Sequence, residues 1–71
     1  MSTDTAFTAW SLAHEAADAA DTAHWSAWAV AHDAANLADT PEGVEAAWEP
    51  VRGTRAALEA ARSEVARLYP A

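Results

Sequence analysis

The chain has 71 residues, a net charge of −7 and no cysteine, which bounds it to one domain and excludes a disulfide framework or a thiolate metal site. A single core of this size supplies only about 3–5 kcal/mol, so self-association is the expected source of further stability. The charge is uneven: residues 1–49 hold nine carboxylates and no Lys or Arg, whereas residues 50–71 hold four Arg and two Glu. Such a surface repels nucleic acid and anionic lipid and steers basic partners toward it.

Alanine supplies nearly a third of the residues and Lys is absent, a usage that fits a GC-rich genome such as that of an actinobacterium or its phage. No apolar run approaches the roughly 18 residues of a membrane span, and the opening MSTDTAF lacks the basic and apolar regions of a signal peptide. The expectation is a cytoplasmic protein without membrane contact.

Residues 5–39 contain neither Gly nor Pro, and no alternation of β-branched residues argues for a strand. A helix over residues 4–39 is predicted. Within it AWSLAHEAADAADT at residues 9–22 returns as AWAVAHDAANLADT at residues 27–40, an internal repeat with an offset of 18 residues. Eighteen residues make about five turns of helix, so both copies fall on one face of a continuous helix. The alternative is a turn near residues 21–22 with Thr22 as N-cap, which gives a three-helix bundle.

At about 100° per residue, Leu12, Val30 and Leu37 mark one edge of an apolar half-cylinder on this helix, and Trp10 and Trp28 mark the other. Ala9, Ala13, Ala16, Ala20, Ala27, Ala31, Ala34 and Ala38 fill its centre, where small residues permit close helix approach. Glu15, Asp18, Asp21, Asp33, Asn36 and Asp39 lie opposite as a solvated face.

A turn is expected at residues 40–42, with Asp39 or Thr40 as cap, Pro41 in the first turn, and Glu42 and Glu45 complementing the positive helix end. A second helix over residues 43–69 follows. Val44, Val51, Leu58 and Val65 recur every seven residues, with Ala47, Thr54, Ala61 and Leu68 between them, as in a coiled-coil seam. Pro50 and Gly53 predict a kink or interruption near residues 47–50, where Trp48 sits. Arg55 with Glu59, Glu59 with Arg62, and Glu64 with Arg67 are spaced for surface ion pairs. The fold class is therefore all-α: a long helical hairpin, a single domain over residues 1–71, self-associating into a four-helix bundle with a dimer favoured.

Chemistry-bearing constellations are few. His14 with Asp18 and Asp21 is repeated as His32 with Asn36 and Asp39, a spacing that suits a divalent metal. The Glu-x-x-His pairs of di-iron bundles are missing, however. The plainer expectation is that His14 and His32 pack on Trp10 and Trp28 one turn earlier and that no cofactor is held. His24 lies nearer the apolar arc, as a core or interface histidine able to stack on Trp28. No serine stands on a glycine-flanked turn and no glycine-rich phosphate loop exists, so an enzyme is not expected.

Four Trp in so short a chain is a heavy allotment, and Trp is enriched at binding hot spots. Phe7 and Trp25 project beside the acidic residues, while Trp10 and Trp28 edge the apolar face. The partner-binding set expected from the sequence is Phe7, Trp10, Trp25, Trp28, His14, His32, Asp18, Asp21 and Asp39. The leading functional expectation is a small acidic interaction and oligomerisation module, of the kind used as accessory or inhibitor proteins by bacteria and phages. A DNA mimic that blocks a basic nucleic-acid-binding protein is the alternative, and a His/Asp metal-binding bundle is a further one.

Overall fold

A computed structural model describes residues 2–69, and within them the chain folds as two helices joined by a short turn: α1 over Ser2–Leu37 and α2 over Pro41–Leu68. The pair forms a rod measuring 59 × 15 × 12 Å, so the long helical hairpin is the architecture. The three-helix alternative is overturned at Thr22. Instead of capping a new helix, its hydroxyl donates to the carbonyl of Asp18 at 3.1 Å, and the backbone continues helically through it. An unbroken run of strong helix formers leaves that hydroxyl satisfied inside the helix, with no demand for a turn.

The reversal occupies residues 38–40, somewhat earlier than the predicted 40–42. Thr40 adopts an extended conformation, φ −130° and ψ 154°, and its Oγ1 accepts from the amide of Gly43 at 3.0 Å. This cap, with Pro41 and Glu42 in the first turn, satisfies one of the amides that a helix start leaves without intrahelical partners. Gly43 fits closely here, since a Cβ would stand 3.2 Å from both Ala38 Cβ and Thr40 Oγ1. At the far end Arg67 lies in the last turn and Tyr69 closes the helix.

Of the kink or interruption expected near Pro50, the interruption does not occur, since α2 runs through it. Pro50 removes one amide donor, but Val51 beside it is buried and Trp48 meets Trp28 across the hairpin, ring centroids 5.9 Å apart. Packing on both sides of the proline holds the helix together.

The core is thin. Among the described residues only Ala17, Ala31, Val51 and Leu58 are buried apolar side chains, joined by His24. On α2 these residues belong to the predicted seam. On α1, Ala17, His24 and Ala31 are also seven apart, and the half-buried Trp10 and Ala38 extend the series at both ends. A repeat of seven on both helices is the pattern of a two-stranded coiled-coil seam, here with alanine on one side and Val or Leu on the other.

That seam corrects the predicted apolar half-cylinder of α1. Its Leu/Val edge is not core: Leu12 is 61% exposed, Val30 70% and Leu37 83%. The buried stripe lies toward the Trp edge, centred on Ala17, His24 and Ala31, because a single facing helix covers only a narrow strip of a wide apolar arc. Among the described residues no helix is long and apolar enough to cross a membrane.

Candidate functional site

Two paired helices leave a face on each side of the seam. One face gathers aromatic rings. Near the open end, Phe7 and Trp10 are 5.8 Å apart, Trp10 meets Tyr69 edge-on at 5.8 Å, and His14 stands edge-on to Trp10 at 5.4 Å. Toward the turn, Trp28 contacts Trp25 at 6.2 Å and Trp48 at 5.9 Å, and His32 stacks on it at 5.1 Å. His14 and His32 therefore pack on Trp10 and Trp28 as their spacing predicts. Edge-to-face and offset arrangements at these separations are favourable ring geometries.

These rings remain accessible to a partner. Phe7 is 56% exposed and Trp25 58%. Trp28, predicted at the core edge, is also exposed, while Trp10 is half-buried. The indole nitrogen of Trp10 is buried and meets no acceptor among the described residues, an unfavourable state for a donor removed from water.

Between the two ring groups lies a polar stretch. His14 Nδ1 is 3.6 Å from Asp18, and Asp21 reaches Arg62 of α2 at 3.4 Å. Together with Ala17 and Val65 these side chains line a small depression. In the second repeat His32 faces the amide of Asn36 at 3.4 Å and Asp33 at 3.9 Å. Asp39 lies in the turn and is exposed. Among the described residues no group of three or more His, Asp or Glu is placed to hold a metal ion, because His14 and His32 are spent on ring contacts and on single polar neighbours.

His24 sits apart, inside the seam. Its Nδ1 is 3.1 Å from Thr54 Oγ1, and the Thr54 hydroxyl donates to the Val51 carbonyl at 3.1 Å. With the Thr54 proton directed to Val51, Thr54 Oγ1 is the acceptor that His24 Nδ1–H meets. The ring tilts against Trp25 at 5.8 Å rather than stacking on Trp28.

Ion pairs fall mainly on α2. Arg52 bridges Glu45 and Glu49, and Arg67 grips Glu64 with both forks, the Nε donating at 2.9 Å. The hydrogen bond to Glu45 holds Arg52 above its usual pKa, and Glu64 does the same for Arg67. Reciprocally, the hydrogen bond from Arg67 holds Glu64 below the usual carboxylate range. Only the Glu64–Arg67 pair was predicted; among the described residues neither Arg55 nor Arg62 pairs with Glu59, since Arg62 turns across the hairpin to Asp21. On α1, no arginine among the described residues meets Glu15, Asp18 or Asp33.

The opposite face is apolar. A shallow groove of about 470 Å³ runs beside the seam, lined by Ala27, Val30, Ala34, Ala46 and Pro50 among others. Sequence reasoning found the α1 aromatics but missed Trp48 and Tyr69 as members of the ring face. The signal was present: they stand 21 residues apart, three repeats of seven, each following a seam valine by four.

The chain matches no protein-family model, no curated protein and no solved structure.

Proposed function

We propose that this protein is a small acidic interaction module: a helical hairpin that pairs with itself and uses its aromatic face to engage a basic protein. The supporting observation is the placement of Phe7, Trp25 and Trp28, large rings left exposed beside α1 carboxylates that lack arginine partners. Aromatic anchors ringed by one sign of charge combine the usual source of binding energy with electrostatic steering.

The test is a pull-down and titration against basic proteins from a candidate host, comparing the native chain with Trp25→Ala and with Asp18→Asn/Asp33→Asn. The ring variant is expected to raise the dissociation constant at least tenfold, and the charge variant to slow association and flatten its salt dependence. Equal binding by all three would sink the assignment of this face.

DNA mimicry draws on the same asymmetry, because the α2 acids Glu45, Glu49 and Glu64 are paired with arginine while Glu15, Asp18 and Asp33 of α1 meet none. A mimic is displaced from its target by duplex DNA. Binding that persists in excess DNA removes that reading and keeps the first.

A further inference from the structure

We infer that the apolar face carrying Leu12, Val30 and Leu37 is the seat of a second copy of this chain, laid antiparallel against the first. This rests on the self-pairing half of the proposed function and names the surface that performs it.

The hairpin exposes too much surface to be finished. A compact chain of 7.5 kDa exposes about 4,200 Å², whereas this one exposes 5079 Å². The excess, roughly 800 Å², is about what each partner contributes to a standard interface. The radius of gyration agrees: 16.6 Å against about 11 Å for a compact chain of this length.

Of the two faces, the aromatic one already stacks ring on ring within the hairpin and is crossed by His14, Asp21 and Arg62. The other has nothing upon it. On α1 the strip of Ala16, Ala23, Val30 and Leu37, spaced by seven like the seam, includes no charged residue, and the neighbouring strip of Leu12, Ala19 and Ser26 meets a carboxylate only at Asp33, toward the turn. On α2 the same side continues through Ala46, Pro50, Gly53 and Ala57 to Glu64, which follows Ala57 by seven on the same strip and is paired with Arg67. Two chains of net charge −7 meet most readily across their least charged surface. For a foreign partner of opposite sign, the acidic aromatic face is the better match.

The pattern is also self-complementary. In a two-fold interface residue i faces j and j faces i. An axis near residue 21 brings Leu12 opposite Val30 of the second copy, and Ala19 opposite its Ala23. Bulky side chains then interlock at both ends while alanines at the middle let the helices approach closely, and the two hairpins together make a four-helix bundle.

The experiment is light scattering coupled to size exclusion, over a range of concentrations, on the full chain and on Val30→Glu, Leu12→Glu and Trp25→Ala. The native chain and Trp25→Ala are expected at twice 7.5 kDa; both glutamate variants are expected at half that mass. Because a glutamate variant deprived of its partner can also unfold, a Leu12→Cys/Val30→Cys chain supplies a second reading: with no native cysteine, oxidation is expected to give a covalent dimer. A native chain that stays monomeric at every concentration overturns this inference and self-pairing alike. A dimer that survives both glutamates but dissociates on losing Trp25 overturns the face alone, and failure to cross-link overturns the register.

Discussion

Replacing Thr54 by Val removes one hydroxyl from the middle of the seam with almost no change in shape. In the native chain that oxygen accepts from His24 Nδ1 at 3.1 Å and donates to Val51 at 3.1 Å, and His24 is only 9% exposed. The variant leaves a buried imidazole donor without its acceptor, which costs about 1–3 kcal/mol. Replacing both members, as in His24→Leu/Thr54→Val, strands no donor and is expected to recover most of the loss. The assay is urea unfolding followed by circular dichroism, at one fixed protein concentration so that mass action does not enter the comparison. Measured as a double-mutant cycle, the two changes should be non-additive by at least about 1 kcal/mol. A Thr54→Val chain with the native midpoint, or two strictly additive changes, would refute the assignment of this pair as a mutually dependent polar contact.

Other perturbations have equally direct readouts. Leu58→Ala deletes the largest of the buried apolar side chains of α2 and should cost about 2–5 kcal/mol, enough to lower the midpoint drastically. Thr40→Ala removes the cap on Gly43 and should cost about 1 kcal/mol, seen in the same unfolding curves. For Glu64, whose pKa is depressed below 4.5 by Arg67, the pairing stabilises the fold above that value and is lost as pH falls through the lower folded-state value. Arg67→Gln should therefore narrow the difference in urea midpoint between pH 7 and pH 3, and an unchanged difference would contradict the pairing.

How far the sequence discloses this fold depends on contrast between neighbouring side chains. In α2 the valines and Leu58 stand out against Ala, Glu and Arg, so the repeat of seven was legible and Val51 and Leu58 are indeed buried. In α1 alanine occupies positions all round the helix, and Leu12, Val30 and Leu37 point away from the seam. The eye follows Leu12, Val30 and Leu37, yet the contact falls on Ala17, His24 and Ala31. What selects that strip is the facing helix, through Thr54 and the ring of Trp48, and no property of α1 alone announces it. The turn was legible because capping chemistry is local: Thr40, Pro41 and Gly43 each act within a few residues. The ring face was half legible, since aromatic spacing on one helix is visible but Trp48 and Tyr69 join it only when the chain folds back.

The duplicated segment and the seam keep different time. The copies are 18 residues apart, while burial on α1 returns every seven, so one copy is rotated by about 51° relative to the other as seen from the facing helix. The same Trp-x-x-x-His unit thus enters two environments: Trp10 is turned inward beside Tyr69 with its indole nitrogen shut away, and Trp28 is turned outward with His32 laid flat upon it. Similar sequence units thus meet different surroundings because the 18-residue spacing is out of step with the seven-residue seam.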